Sequence, residues 1–128
     1  MTHKGTNIMK NILLLLLKTQ DQTRILHWQT KSYAQHIAFG NFYDALTPLI
    51  DLLVECYQGK YDRIYLDDEN TIELKDVSDN PESIFSELGD ALANDFADII
   101  DEKDTDLLNI RDEIIAEINK LEYLLTLK

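Results

Sequence analysis

Apolar positions recur along the chain in four stretches with helical spacing, and one long polar connection separates the second stretch from the third. Apolar residues that recur every three or four positions are typical of amphipathic helices. This spacing predicts helices over about residues 7–31, 33–57, 81–100 and 104–125. The side chains predicted to face the core are Met9, Ile12, Leu16, Thr19, Thr23 and Leu26 in the first helix, Phe42, Leu46, Leu49, Ile50, Leu53, Val54 and Tyr57 in the second, Ile84, Phe85, Leu88, Ala91, Leu92, Phe96 and Ile99 in the third, and Leu107, Ile110, Ile114, Ile118, Leu121 and Leu125 in the fourth.

Local signals mark the ends of the later helices. Gly59 is a natural C-terminal stop, and Asn80 followed by a proline is a natural start for the third helix. Asp104 opens the last helix. Pro48 lies inside the second helix and is expected to kink it. The connection over residues 59–80 is long for a compact domain, and we expect a short helix or a small extended pair within it.

The order of short and long connections indicates a fold class. Short connections join the first helix to the second and the third to the fourth, whereas a long one joins the second to the third. This order predicts one all-α domain over residues 1–128, a ferritin-like four-helix bundle with a long crossover between helices 2 and 3.

The first half of the first helix is apolar on every side. Leu13, Leu14, Leu15 and Leu17 surround the predicted core stripe, and a helix of this kind must be covered on every side. A second subunit would cover it, and so would tight wrapping of this helix inside a monomer. We favour the first interpretation and expect a homo-oligomer, at least a dimer.

Charge is distributed unevenly between the two halves of this acidic protein. The chain has 12 Lys+Arg and 24 Asp+Glu, a net charge of −12. Residues 1–60 hold six bases and four acids, and residues 61–128 hold six bases and twenty acids. Such a surface repels nucleic acid and anionic membranes, so neither is an expected partner.

Targeting and redox signals are sparse. The longest apolar run covers residues 12–17, whereas a membrane-spanning helix needs about 20 residues, and no secretory signal is recognisable. Cys56 is the only cysteine, so no intrachain disulfide forms and a reducing compartment is expected. These features predict a cytoplasmic protein without a membrane segment.

Candidate metal ligands lie in the near-neutral half of the chain. His27 falls late in the first helix and His36 early in the second, while Asp44, Asp51 and Glu55 share one face of the second helix. Imidazole and carboxylate together suit iron, manganese or zinc. No glutamate has a histidine three residues later, which argues against a di-iron centre inside one bundle.

These residues resemble the signature of the Dps family, the small ferritin-like cage proteins. The match consists of the pair His27-Trp28, then His36, then Asp51 and Glu55 separated by three residues. The resemblance extends to Asp104-Thr105-Asp106 and to the segment around Tyr123, but it is strongest over residues 26–59.

The resemblance implies a specific activity. His27 and His36 of one chain would face Asp51 and Glu55 of its two-fold partner, with Trp28 beside the metals as the catalytic residue. Twelve subunits would form a cage that takes up ferrous iron, oxidises it and stores it. In that family an acidic ligand follows the second histidine by one turn, where this chain has Gly40, and Asp44 lies one turn further on.

Three classes of function remain open, the third being a small-molecule binder that uses the core of the bundle. The first is an iron-binding ferroxidase or storage protein with iron, or another divalent metal, between subunits. The second is an oligomeric helical bundle, of the kind a phage could encode, that has lost the metal site and serves a structural or interaction role. The spacing of nine residues between His27 and His36, shorter than in the family, and the glycine at position 40 are compatible with the second class.

Overall fold

The computed structural model describes residues 4–127, and within that range the regular structure is entirely helical. A π-helical turn, Ala91–Asp95, joins α3 (Ser83–Asp90) to α4 (Phe96–Ile99) without a break, so residues 83–99 form one rod. The helices are α1 (Lys4–Gln29), α2 (Tyr33–Lys60), α3 (Ser83–Asp90), α4 (Phe96–Ile99) and α5 (Thr105–Leu124). Four rods therefore build the bundle, as the sequence predicts.

Each rod packs against two neighbours. α1 contacts α2 on one side and the 83–99 rod on the other, and α5 contacts both α2 and α3. The rods thus close around a single core, into which α1, α2, the 83–99 rod and α5 all send apolar side chains. By length and composition alone α2 also qualifies as a membrane-spanning helix, a test that core helices of soluble proteins pass as well.

The long crossover, residues 61–82, is held against α1 by two glutamines. The side chain of buried Gln22 donates to the carbonyl of Lys75 (2.9 Å) and accepts from its N–H (2.8 Å). Two turns later Gln29 accepts from the N–H of Val77 (2.8 Å). The expected short helix is present as the 3₁₀ turn Val77–Asp79. These amide contacts satisfy backbone groups of the crossover that no sheet partner satisfies.

The predicted core is confirmed almost in full. Every position predicted in α1 is buried, and four of the positions predicted in the later helices are only partly buried. These four are Leu49, Val54, Ala91 and Leu125. The prediction missed Ala38 and Phe39, which lie on the inner side of α2 and are also buried.

The π-helical turn lies within a four-residue repeat of buried side chains. Buried Leu88, Leu92 and Phe96 follow one another at intervals of four residues. An α-helix has about 3.6 residues per turn, so a strict four-residue repeat drifts away from the core face. In the π turn the N–H of Phe96 bonds to the carbonyl of Ala91, five residues back.

Helix ends differ from the sequence-based prediction at two places. α2 continues through Gly59 to Lys60, because the N–H of Tyr61 bonds to the carbonyl of Tyr57 and contacts from α5 hold this end. α3 begins at Ser83, since Asn80 adopts a left-handed conformation (φ 50°) that closes the preceding 3₁₀ turn. The predictions of a stop at Gly59 and of a cap at Asn80 are therefore wrong.

Candidate metal centre

A three-residue hinge between α1 and α2 brings the two candidate histidines side by side. Ser32 caps α2 by accepting from the N–H of Gln35 (3.2 Å), and Thr30 donates to the side-chain oxygen of Gln35 (2.7 Å). The tight reversal places the last turn of α1 beside the first turn of α2. His27 and His36 therefore meet, although nine residues separate them in sequence.

The two histidines bind each other reciprocally. Nδ1 of His27 lies 2.6 Å from the carbonyl oxygen of His36, and Nδ1 of His36 lies 2.8 Å from the carbonyl oxygen of His27. Their rings stack with centroids 3.8 Å apart and planes 15° apart. A carbonyl oxygen only accepts, so each Nδ1 must carry a proton. In the neutral form of each ring the lone pair therefore lies on Nε2, the form in which histidine binds a metal.

The stacking decides how many ions such a pair can serve. A metal bound by imidazole lies in the plane of the ring, at about 2.0–2.1 Å from the nitrogen. The two near-parallel rings cannot both meet this condition with one ion. The pair is compatible with two ions, one for each histidine, and two-metal sites place their ions about 3.5–4 Å apart.

Gly40 provides the space for the ring of His27. A Cβ atom at position 40 would lie 2.9 Å from Cε1 and 3.1 Å from Nδ1 of that ring. Tyr43 meets the same ring edge to face (5.3 Å between centroids), and the guanidinium of Arg24 lies 5.0 Å from the centre of the Tyr43 ring. The sequence presents Gly40 only as a missing ligand. A glycine inside a helix was the available signal of a close approach.

The candidate carboxylates lie on the outer face of α2, as their spacing predicts. Asp44, Asp51 and Glu55 are all exposed. His36 and Asp51 are fifteen residues apart on α2, about 22 Å along the helix at 1.5 Å per residue. One chain therefore does not bring the histidines and these carboxylates together. Residues 4–127 also contain no group of three or more His, Cys, Asp or Glu arranged to hold a metal.

Large apolar side chains surround the histidine pair on the outside of the bundle. Trp28 is 67% exposed, Tyr33 78% and Ile37 42%. Leu17, further along α1, is 37% exposed, and Leu13, Leu14 and Leu15 are only half-buried. The apolar first helix is thus incompletely covered within one chain.

A second polar cluster, at the opposite end of α2, was missed by the sequence analysis. Buried Asp104 accepts hydrogen bonds from the hydroxyl of Tyr61 and from the N–H of Asp101 (2.9 Å), and it pairs with Nζ of Lys60 (2.9 Å). Asp104 precedes α5 as predicted, yet its side chain bonds none of that helix's own N–H groups. It instead ties the end of α2 to the start of α5.

The charges of this cluster shift its pKa values in the directions that the contacts require. The hydrogen bond from Tyr61, followed by the contact with Lys60, lowers the pKa of Asp104. Burial and then the bond to Asp104 raise the pKa of Tyr61, while the bond to Asp104 raises the pKa of Lys60. The cluster is a structural contact rather than a candidate reaction centre.

Replacing Gly40 with alanine is expected to displace His27. Alanine usually stabilises a helix interior by about 0.8–1 kcal/mol relative to glycine, but here the added Cβ meets a ring fixed by its hydrogen bond. Gly89→Ala is the matched control, because nothing lies within 4 Å of its added Cβ. Urea unfolding should find Gly40→Ala less stable than Gly89→Ala by about 1–2 kcal/mol. Equal stability of the two variants would contradict the close contact at Gly40.

Comparison with known proteins gives one relationship. A family model described as a family of unknown function (DUF5856) matches residues 27–125, which includes the hinge, both histidines and all three candidate carboxylates. No curated protein and no solved structure matches the chain. Because the match covers most of its length, the chain belongs to the DUF5856 family.

Proposed function

We propose that this protein is a ferritin-like, Dps-like iron-binding protein that takes up and oxidises ferrous iron at a site shared by two copies of the chain. The observation that carries the proposal is the reciprocal pairing of His27 and His36. This pairing leaves one Nε2 lone pair on each ring for ligation. Both rings lie at the hinge end of the surface formed by α1 and α2, the α1–α2 face. Carboxylate oxygens are the other ligands that iron prefers, and within one chain those of Asp51 and Glu55 lie at the far end of α2.

A two-fold axis that crosses the middle of α2 would complete the site. In an antiparallel pair of α2 helices, His36 of one copy would stand opposite Asp51 and Glu55 of the other. The midpoint of that register falls near residue 44, about 12 Å along the helix from His36. The proposal therefore assigns ligation to Asp51 and Glu55, and it places Asp44 on the axis instead of at the metal.

Charge and apolar surface support this register. The bases Arg24 and Lys31 lie at the hinge end of the α1–α2 face, and the acids Asp51 and Glu55 lie at its other end. In an antiparallel arrangement the basic end of each copy contacts the acidic end of the other copy, which suits an isologous two-fold interface. It would also cover exposed Trp28, next to the metals. Further association of such dimers into a twelve-subunit cage is the larger assembly that we propose.

The histidine pair also suits the stoichiometry of the oxidation. Two ferrous ions, one at each ring, supply the two electrons that one peroxide molecule needs to form two molecules of water, with two protons taken from solvent. Anionic carboxylates favour the ferric product over the ferrous substrate because it carries more charge. We place this activity in the reducing cytoplasm, where ferrous iron is the available form.

Neutralising the partner carboxylates provides a clean test. Asp51 and Glu55 are exposed in a single chain, so Glu55→Gln leaves the fold of the chain intact. We expect it to weaken anaerobic ferrous binding, measured by calorimetry, at least tenfold and to slow oxidation correspondingly. Asp44→Asn, the matched control, removes the same charge from the same face and should do neither. Equal losses in both variants would contradict the proposed register.

Complementation tests whether the site is shared. A dimer of one His36→Ala chain and one Glu55→Ala chain has one site that lacks both ligands and one site that is intact. Each variant alone should be inactive, and co-refolded chains should regain a fraction of the wild-type oxidation rate. Size-exclusion chromatography with light scattering gives the size of the active species. A monomer, or a mixture that stays inactive, would overturn the proposal.

The second candidate function is an oligomeric structural or interaction bundle without a metal. The same histidine pair supports it. Both rings are already hydrogen-bonded and stacked, and this pairing would lock the hinge without any metal. This function predicts a dimer or larger oligomer that binds no iron stoichiometrically. In that case His27→Gln would alter stability and leave iron oxidation at the background rate of the buffer.

A further inference from the structure

An aliphatic cleft lies on the opposite side of α1 from the histidine pair. It has a volume of about 430 Å³ and lies between α1 and the 83–99 rod, with residues 71–73 of the crossover also lining it. Its aliphatic floor includes Ile8, Leu14 and Leu15 from α1 and Ile72 from the crossover, and Asn11 and Thr71 add neutral polar groups to the lining. The volume falls within the range of small-molecule sites, about 300–1,000 Å³.

The rim of the cleft is acidic. Glu73, Glu87 and Asp95 contribute three carboxylates, and Lys18 is the single base among the lining residues. None of the four forms an ion pair with another residue in the described range 4–127. A smaller cavity of about 110 Å³ adjoins the cleft and shares Lys18, Glu73 and Glu87. The charged groups are therefore concentrated where the two cavities meet.

Two structural features build the walls of this cleft. The π-helical turn supplies Ala91 and Asp95 to one wall, and such turns are rare and recur at functional sites. The amide contacts of Gln22 with Lys75 hold the crossover in place beside the other end of the cleft. One wall is thus helical, and the crossover is tied to α1 two residues beyond Glu73.

We propose that the cleft binds an aliphatic ammonium ion, a ligand with an unbranched alkyl body and one protonated amine. The aliphatic floor takes the alkyl chain through the hydrophobic effect. The surplus of two carboxylates over Lys18 favours a cationic head group and disfavours a carboxylate of the same length. The site is separate from the histidine pair and does not depend on iron.

Titration calorimetry of the full chain with octylamine, below its micelle-forming concentration and at pH 7, tests the proposal. Affinity should rise about two- to fourfold per methylene from butylamine to octylamine, as the alkyl chain is buried. Octanoate and octanol should bind at least tenfold more weakly than octylamine. Chain-length-independent binding, or equal affinity for octylamine and octanoate, would overturn the proposal.

Two substitutions of opposite sign separate binding in the cleft from attraction to an acidic protein. Glu87→Gln should weaken octylamine binding about three- to tenfold, and Lys18→Gln should strengthen it about threefold. Glu113→Gln is the matched control, because this exposed glutamate lies on α5, away from the cleft. An equal loss in Glu113→Gln and Glu87→Gln would show that the amine binds the general surface charge and would refute the site.

Discussion

Replacing Phe85 with alanine is expected to lower the free energy of unfolding by about 3–5 kcal/mol, a larger loss than Asp104→Asn or Gly40→Ala should cause. Phe85 is 1% exposed, and its ring lies 5.4 Å from that of Phe42 and 6.3 Å from that of Phe39. Phe85 packs α3, the helix that follows the crossover, against α2 in the core. The substitution removes the ring and leaves a cavity that the rigid rods cannot close.

Urea unfolding followed by circular dichroism measures this loss. Domains of this size are usually stable by about 5–15 kcal/mol, so the variant should unfold at a markedly lower urea concentration. Tyr123→Ala is the control, because Tyr123 is 62% exposed and its loss should change stability by no more than about 0.5 kcal/mol. Similar midpoints for the two variants would mean that Phe85 does not occupy this core position.

Neutralising Asp104 is expected to have the second largest effect, about 1.5–3 kcal/mol at pH 7, because hydrogen bonds to a charged group are lost. Asp104→Asn keeps the size of the side chain but removes the charge that pairs with Lys60 and accepts from Tyr61. The end of α2 and the start of α5 should then loosen together. Hydrogen exchange of the Asp101 amide, which also bonds to Asp104, should accelerate in parallel.

The effect of this substitution depends on pH with a definite sign. The folded-state pKa of Asp104 lies below its ordinary value of 3.8. The stabilisation is therefore fully present above pH 3.8 and is lost as the pH falls through the folded-state pKa. The stability difference between wild type and Asp104→Asn should be constant from pH 5 to pH 7 and shrink at more acidic pH. The raised pKa of Tyr61 has the opposite consequence for stability. Its contribution is present at lower pH and is lost as the pH rises above 10.0, the ordinary pKa of tyrosine.

Asp90→Asn is the control for the stability measurements at different pH values. Asp90 is exposed and lies within the 83–99 rod, so neutralising it should change stability by no more than about 0.5 kcal/mol. A difference between wild type and Asp104→Asn that persists unchanged at acid pH would contradict the ionised state of Asp104. It would assign the stabilisation to packing instead.

The core of the bundle was predictable because helical periodicity is a local property. The stripe of Met9, Ile12 and Leu16, and its counterparts in the other rods, can be recognised from residue type and spacing alone. Burial of these side chains is what stabilises each rod, so the same pattern that predicts a helix also predicts its inner side. The long connection could also be predicted locally, because apolar residues in 61–82 follow neither the helical nor the strand spacing.

Contacts between distant segments were beyond this kind of prediction. The sequence suggested a cap at Asp104 and a stop at Gly59, but the bond between Asp104 and Tyr61 joins residues 43 positions apart. That bond draws Asp104 away from its own helix. The π-helical turn was likewise unforeseen, because the four-residue repeat of Leu88, Leu92 and Phe96 has counterparts in α2 and α5 that remain regular α-helix.

By itself the sequence determined that this protein is a four-helix bundle with a long crossover, and it singled out His27 and His36, with Asp44, Asp51 and Glu55, as candidate metal ligands. Only the tertiary structure decided what these histidines do within one chain. The hinge geometry sets the orientation of the rings, the reciprocal bonds fix the proton on Nδ1, and Gly40 leaves room for the ring of His27. Local spacing specifies which side chains share a face, whereas ring orientation and hydrogen bonding depend on how two helices meet.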